Sequence, residues 1–170
     1  EISIMKVLID IGHPAHVHLF KNFANIFQQK GHTVLFTVRS SECEIELLKA
    51  YDFKYYVLGR KHRSLAGKII GIVKFDLKLL SVALKYKPDI FLSHGSIYAA
   101  HVAAIVRKPH ISLEDSGNME QIRLYRPFTM AILTPDILHE HLGDKQIRYK
   151  GYHELCYLHP KYFQPDADVK

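Results

Sequence analysis

The feature that most constrains the fold of this chain is the segment of residues 5–18, which reads MKVLIDIGHPAHVH. Apolar, largely β-branched residues fill positions 7–11 around one acid, Asp10, and they stop at Gly12-His13-Pro14. A helical pattern then follows, for which we predict a helix over residues 18–30. A buried strand that leads through a tight turn into a helix is typical of the start of an open α/β domain. Ligands of such sheets bind outside the carboxyl ends of the strands, so we expect the site at this turn.

The rest of the chain alternates strand-like and helical segments. Further strands are predicted over residues 33–38, 54–58, 89–93, 110–113, 130–133 and 146–149. Helices are predicted over residues 41–50, 65–85, 97–106 and 119–126, with a short helix that opens at Pro135. This alternation predicts a Rossmann-like, doubly wound α/β fold, in which a mainly parallel sheet of six to seven strands carries helices on both faces. The 170 residues are enough for one domain with a real core.

Composition excludes several classes of protein. Hydrophobic residues make up 48% of the chain and charged residues 24%, which is the balance of a folded domain rather than a disordered one. The two cysteines, Cys43 and Cys156, do not make a disulfide framework, so a reducing cytoplasm is the expected location. We expect no signal peptide and no membrane-spanning segment.

The first turn carries chemistry but lacks the common nucleotide-binding motifs. It has a single glycine, Gly12, and neither GxGxxG nor GxxxxGK[ST]. Its imidazoles, His13, His16 and His18, together with Asp10, leave open a metal-dependent hydrolase. The spacing H-x-x-H-x-H is not a strong metal signature, and such rings can equally bond backbone groups around the turn. Our leading expectation is therefore a site without metal or cofactor.

Two further strand ends place polar groups at the same edge of the sheet. The fourth strand is followed by Ser93-His94-Gly95-Ser96 and the fifth by Glu114-Asp115-Ser116-Gly117. A histidine beside a carboxylate is the usual composition of a general-base pair, which favours a catalytic role for His94 with one of the acids. The serines also fit a plain helix-capping role.

The basic residues are concentrated in one segment. Residues 60–87 hold eight basic residues and one acid, whereas the whole chain has a net charge of +6, so the remainder is nearly neutral. The candidate docking patch within this segment consists of Arg60, Lys61, Arg63, Lys74 and Lys78. It fits the solvated face of a core helix, and it also fits an anionic membrane surface or a protein partner. Nucleic acid is not an expected partner, because no strand combines aromatic and basic residues as a stacking platform.

Three stretches carry a resemblance to a known family. They are MKVLIDIGHPAHVHLFKN at the start, HGS after the fourth strand and RYKGYHELCYLHPKYFQPD near the end. The chain resembles an uncharacterised prokaryotic family of glycosyltransferase-like proteins, whose members are similar to the N-terminal half of the GT-B fold. That fold includes the lipid-intermediate N-acetylglucosaminyltransferase of peptidoglycan synthesis and the non-hydrolysing UDP-GlcNAc 2-epimerases.

The resemblance implies a domain organisation and partners. Residues 1–150 would form the GT-B-like N-terminal domain, and residues 151–170 would begin the linker to a second, donor-binding domain. The implied partners are a nucleotide-sugar and an acceptor, bound with the help of that second domain, so we expect no activity from this chain alone. The apolar surface left without its second domain would also suit a homodimer.

The resemblance also implies roles for individual residues. His13 would be the general base that takes the proton of the acceptor hydroxyl. The other residues implied in catalysis, which would orient groups or bind hydroxyls, are His94, Glu114 and Asp115. Substrate-binding positions are implied for Gly12, His16, Gly95, Ser96, Ser116, His153 and Glu154.

Overall fold

The computed structural model describes residues 3–39, 42–59 and 65–165, with the side chains of the third helix described from residue 71 onward. The strands are β1 (Lys6–Ile11), β2 (Thr33–Arg39), β3 (Tyr55–Gly59), β4 (Ile90–His94), β5 (His110–Leu113), β6 (Ala131–Pro135) and β7 (Gln146–Tyr149). The helices are α1 (Pro14–Gln29), α2 (Glu42–Ala50), α3 (Leu65–Tyr86), α4 (Ile97–Ile105), α5 (Met119–Tyr125) and α6 (Leu155–Leu158), with a 3₁₀ turn at Arg126–Phe128.

All seven strands form one parallel sheet in the order β3-β2-β1-β4-β5-β6-β7. The chain order therefore reverses between β1 and β4, which pair directly. At such a reversal the loops after the two strands run to opposite faces of the sheet and leave a crevice at its carboxyl edge. The predicted Rossmann-like fold is confirmed, and the turn after β1, at which we expect the site, lies at this crevice.

Alternation along β1 explains why helices cover both faces. Val7, Ile9 and Ile11 pack into a core with α1 and α2, whereas Leu8 packs into a second core with α3 and α4. Successive strand residues point to opposite faces, so a continuous apolar strand needs a helical layer on each side. Asp10 falls within this buried run and is only 1% exposed. A charge at that depth requires partners, and these are found at the site.

Helix α1 begins earlier than the pattern suggested. It starts at Pro14 rather than at residue 18, with His13 as its N-cap. Proline fits the first helical turn, because backbone N–H groups there have no acceptor within the helix and proline lacks such a group. As a result, His16 lies within the helix rather than in the loop before it, and His18, predicted as the first helical residue, lies inside the helix.

One predicted element is wrong, and one short helix was not predicted. Pro135 does not open a helix; it is the last residue of β6, and a turn follows it. The segment after Gly151, in which the sequence shows no regular pattern, forms the short helix α6, which packs on α1. There the side-chain amide of Asn22 donates a hydrogen bond of 2.7 Å to the backbone oxygen of Cys156. The linker role of residues 151–170 stays a prediction.

The basic segment is described only in part, since Arg60, Lys61 and Arg63 lie outside the described residues. Lys74 and Lys78 lie on the exposed side of α3. Large apolar side chains share that side, namely Val73, Leu77 and Leu84, each more than half exposed. Among the helices that the structure describes, none is long and apolar enough to cross a bilayer.

Candidate functional site

A cleft of about 870 Å³ opens at the carboxyl edge of the sheet, where β1, β4 and β5 end. Its lining includes most of the residues singled out from the sequence, namely Gly12, His13, His16, His94, Gly95, Ser96 and Ser116. The fold therefore assembles in one place residues that are about a hundred positions apart in the chain. A crevice of this size and position is where open α/β sheets bind small molecules.

His13 has a structural role as well as its position in the cleft. Its side chain is exposed, and its Nδ1 accepts a hydrogen bond of 3.2 Å from the backbone N–H of Ala15. In the neutral ring this bond leaves the proton on Nε2. His13 in this state can donate a hydrogen bond to a substrate oxygen, and it can take a proton through Nε2 only after its ring leaves the cap.

Arg39 is a cleft residue that the sequence analysis missed. Its Nη1 lies 3.1 Å from Oδ2 of Asp10, in a buried ion pair at the carboxyl end of β2. Asp10 also accepts hydrogen bonds from the hydroxyls of Thr37 and Ser96. A Cβ atom on Gly12 would lie 2.1 Å from Nη2 of Arg39, which the ion pair holds in place, so this position needs glycine. The available signal was an arginine directly after a run of strand residues, TVLFTVR.

Asp10 and the histidines of the first turn, considered above as metal ligands, are engaged in other contacts. Both oxygens of Asp10 are engaged by Thr37, Arg39 and Ser96. Nδ1 of His16 accepts a hydrogen bond from the N–H of Gly12, and the ring is shielded from solvent. Burial, followed by the neighbouring imidazoles, lowers the pKa of His16 to about 3, so the ring is neutral near pH 7. The residues of that set do not offer a metal three free ligand atoms.

His94 and Asp115 form the expected histidine–carboxylate pair. Nε2 of His94 lies 2.9 Å from Oδ1 of Asp115, and the hydrogen bond from His94 lowers the pKa of this carboxyl below its ordinary value. The His94 ring also stacks on His16, with 4.6 Å between the ring centroids. His94 lines the cleft and both residues line an adjoining smaller pocket, so the pair lies between the two spaces, where it can hold a hydroxyl or share a proton with it.

Glu114, the other acid of this loop, is turned into the protein. It is 1% exposed, and its Oε1 accepts hydrogen bonds from the backbone N–H and the hydroxyl of Ser116, at 2.8 and 2.6 Å. Its Oε2 accepts a hydrogen bond of 2.8 Å from the hydroxyl of Tyr125. A Cβ on Gly95, whose φ is +62°, would lie 3.3 Å from that oxygen. The geometry gives Glu114 the task of shaping the loop, and it leaves Asp115 as the acid that faces the site.

Ser96 and Ser116 line the cleft, but their hydroxyls have internal partners. The oxygen of Ser96 accepts a hydrogen bond from the N–H of Ala99 as the N-cap of α4, while its proton goes to Asp10. The hydroxyl of Ser116 donates to Glu114. Asn118, rather than Ser116, caps α5. The capping alternative therefore holds for Ser96.

The segment after β7 completes the wall behind His94. His153 is 4% exposed, and its ring contacts that of His94, with 5.5 Å between the centroids. A smaller pocket of about 130 Å³ lies here and is lined by residues from four parts of the chain, namely Ala15, His16, Leu19, His94, Asp115, His153, Glu154 and Tyr157. Glu154 is exposed at its rim. The resemblance named His153 and Glu154, and the structure brings both to the same edge as the cleft.

The chain is similar in sequence to a curated protein. The uncharacterized protein MJ0665 of Methanocaldococcus jannaschii is 25% identical over 174 residues, which cover 97% of this chain and 51% of that protein. The chain thus spans about half the length of the curated relative that it matches.

Two solved structures illustrate the likeness of the fold. Acinetobacter baumannii MurG matches with a TM-score of 0.69 and 17% identity, over 87% of this chain and 46% of that one. The UDP-GlcNAc 2-epimerase from Neisseria meningitidis, solved bound to UDP-GlcNAc, matches with a TM-score of 0.62 and 20% identity, over 76% and 40%. At this level of identity the likeness shows the fold. The profile of a family described as "Protein of unknown function (DUF354)" matches residues 5–169, and the chain belongs to that family.

Proposed function

We propose that this chain is the N-terminal, acceptor-side domain of a GT-B-type glycosyltransferase or a related sugar-nucleotide enzyme, and that it is inactive alone. The observation that carries the proposal is the open cleft of about 870 Å³ at the point where the strand order reverses, lined by imidazoles and by hydroxyl-bearing loops. Hydroxyl-rich substrates such as sugars need this kind of hydrogen-bonding wall.

The fold neighbours support the substrate class. One of them is an epimerase solved with UDP-GlcNAc, and this chain matches only 40% of its length. MurG is matched over 46% of its length. The chain thus corresponds to less than half of each of these neighbours. In our proposal a second domain therefore binds most of the nucleotide-sugar, and this chain presents the acceptor.

The geometry suggests a role for each group at the wall. His13 faces the substrate, donating a hydrogen bond through Nε2 while it caps α1 and accepting a proton once its ring leaves the cap. His94, whose ring stacks on His16, and its partner Asp115 hold a substrate hydroxyl where the cleft meets the smaller pocket. Gly12 and Gly95 line the cleft, and a Cβ atom would press on Arg39 at the first position and on Gln121 and Glu114 at the second, so both glycines preserve the shape of the wall.

The test is calorimetric titration of UDP and UDP-GlcNAc into this chain and into a two-domain protein in which a donor-binding half follows it. We expect binding to the two-domain protein and weak or no binding to the chain alone. Turnover of a UDP-sugar by the 170-residue chain, or tight binding of UDP to it, would contradict the proposal. His139→Ala, which changes an exposed histidine away from the cleft, is the control.

A second role, docking on an anionic membrane, is favoured by one observation. On α3 the exposed apolar side chains of Val73 and Leu77 alternate with Lys74 and Lys78, an arrangement that suits a lipid headgroup surface. Cosedimentation with vesicles that contain phosphatidylglycerol should weaken with salt and in the variant Lys74→Glu/Lys78→Glu. Lys49→Glu/Lys54→Glu makes the same charge change elsewhere and should bind normally; equal loss in both variants would argue against α3.

A further inference from the structure

We propose that His94, Asp115 and His153 form a binding site for a first-row divalent metal ion such as Zn²⁺, at the wall between the cleft and the smaller pocket. The three residues come from the end of β4, the loop after β5 and the segment after β7. One ligand atom from each lies within 4.8 Å of the other two. Two imidazoles and a carboxylate, with one position open, form a donor set that zinc uses in catalytic sites.

The distances are close to those that coordination requires. Nε2 of His94 and Oδ1 of Asp115 are 2.9 Å apart and share a proton in a hydrogen bond. A metal ion would take the place of that proton, because imidazole binds a metal through a deprotonated nitrogen and binding releases the proton. In a tetrahedral zinc site, donor atoms at the usual bond lengths are about 3.4 Å from each other. The carboxylate and the His94 ring therefore separate slightly on binding, while His153 moves inward. Asp115 is partly exposed in a loop, so it can make its part of this change by side-chain rotation.

A second observation points to a ligand independently of the cluster. Nε2 of His153 is buried and has no hydrogen-bond partner among the described residues. A buried polar atom without a partner is rare, because it has lost its hydrogen bonds to water and forms none with the protein. Its other nitrogen, Nδ1, is hydrogen-bonded to the hydroxyl of Tyr149. Where Nδ1 donates to the tyrosine oxygen, the lone pair lies on Nε2, and a metal-binding histidine typically has such an outer partner.

The neighbouring histidines do not belong to the donor set. Nδ1 of His16 accepts a hydrogen bond from Gly12, so the proton of the neutral ring lies on Nε2, and neither nitrogen has a free lone pair. Nδ1 of His13 is engaged by the cap of α1 in the same way. His16 instead covers one face of the His94 ring. Three protein donors leave a coordination position open to water or to a substrate.

The position of the site suggests what the open position would take. His94 lines both the cleft and the smaller pocket, and Asp115 and His153 line the latter. An ion held there would reach an oxygen of a ligand in the cleft, either a sugar hydroxyl or a phosphate. This step rests on the proposed function, whereas binding of the ion itself does not.

The test measures metal binding without any substrate. Untagged, chelator-treated protein is titrated with ZnCl₂ by calorimetry, and Co²⁺ is added to record its visible absorption. We expect one equivalent of Zn²⁺ to bind and Co²⁺ to give the absorption of a low-coordinate site. Loss of an outer partner of a metal ligand lowers metal affinity roughly 10- to 100-fold. Asp115→Asn should lower the affinity for Zn²⁺ by more than this, because it removes the charge of a direct ligand. The variant can still form a hydrogen bond to His94. Tyr149→Phe should cost about tenfold.

Matched controls keep the result interpretable. His139→Ala and Asp144→Asn change exposed residues of the same types and should bind Zn²⁺ like the parent protein. Circular dichroism and thermal unfolding verify that each variant is folded. Failure of the parent protein to bind one equivalent, or unchanged affinity in folded Asp115→Asn, would overturn the site. Zinc binding without UDP-sugar binding by the two-domain protein would retain the site and reject the proposed function, and the reverse result would do the opposite.

Discussion

His13 shows how one residue can serve the fold and the site at once. Its Nδ1 caps α1, while its exposed ring lines the cleft. Histidine is not among the preferred N-cap residues, which are serine, threonine, aspartate and asparagine. A histidine at this position makes the helix slightly less stable than a preferred cap would. It also puts an imidazole at the mouth of the cleft, where it can act on a ligand.

Two substitutions separate these roles of His13. Asn at this position keeps a cap and removes the imidazole, whereas Ala removes both. We expect His13→Ala to lower the free energy of unfolding by about 1 kcal/mol, and His13→Asn to leave it unchanged or slightly raised. Both should weaken ligand binding by the two-domain protein. Urea denaturation and calorimetry measure the two effects; full ligand binding by His13→Asn would show that the imidazole has no role in the cleft.

Two buried histidines make the stability of the protein depend on pH. Burial lowers the pKa of His110 to about 3, and its ring is hydrogen-bonded to the hydroxyls of Ser93 and Thr129. The pKa of His16 is lowered to about 3 as well. Near neutral pH both rings are uncharged in the folded protein. In the unfolded chain they become charged once the pH falls below about 6.5, the ordinary pKa of histidine.

The sign of this effect follows from proton binding. At these two positions the unfolded chain binds more protons than the folded one between pH 6.5 and 3, so their contribution to stability is fully present above pH 6.5 and is lost as the pH is lowered. Each histidine contributes up to about 1.4 kcal/mol per pH unit in this range. Urea denaturation at pH 7, 6 and 5 should show a steeper loss in the parent protein than in His16→Asn. An equal slope in the two proteins would contradict the neutral state of His16.

At the scale of elements, α6 decides whether the site is complete. It has only four residues and no buried side chain of its own, so its position depends on contacts with α1. One of these is the hydrogen bond from Asn22 to Cys156, and another is the contact between the rings of His18 and Tyr157. Because His153 directly precedes this helix, its position beside His94 depends on how α6 is held.

Removal of the Asn22 side chain should therefore loosen one element without unfolding the protein. A single hydrogen bond of this kind contributes about 1 kcal/mol, which corresponds to roughly fivefold faster amide exchange in α6. We expect hydrogen exchange of residues 153–158 to accelerate in Asn22→Ala, with the exchange of β1 unchanged. Asn25→Ala, an exposed position on the same helix, is the control. Equal protection in the parent and Asn22→Ala would show that other contacts hold α6.

At the scale of the whole molecule, the network around Asp10 connects its two halves. The carboxylate on β1 is bound by Thr37 and Arg39 of β2 on one side and by Ser96 at the start of α4 on the other. It thus ties together the strands on both sides of the point where the strand order reverses. The cleft lies directly above this network, so the same contacts stabilise the fold and fix the floor of the site.

Removal of the charge on Asp10 should destabilise the whole domain. Asp10→Asn leaves the guanidinium of Arg39 buried without its counter-ion, and loss of one partner of a buried pair typically costs about 3–5 kcal/mol. Lys108→Ala removes one partner of the exposed pair with Asp89 and should cost no more than about 1 kcal/mol. Denaturant unfolding measures both; equal small losses would show that Asp10 is not a structural anchor.

The sequence by itself determined the local elements and the edge at which the site lies. Apolar runs with β-branched residues specified the strands, and the polar turns at Gly12-His13 and His94-Gly95 marked their carboxyl ends. Both signals are local, because periodicity and turn chemistry depend on neighbours in the chain. For the same reason the alternation of elements was enough to predict a parallel sheet, whose carboxyl ends must share one edge.

Only the tertiary structure decided which side chains meet at that edge. Which of the two acids pairs with His94 depended on Tyr125. Its hydroxyl binds Glu114, so Asp115 is the acid that is left to pair with His94. The approach of His153 to His94 depended on the packing of α6 against α1, a contact between segments more than a hundred residues apart. Such contacts are set by the balance of burial and hydrogen bonding over the whole domain, which no local pattern encodes.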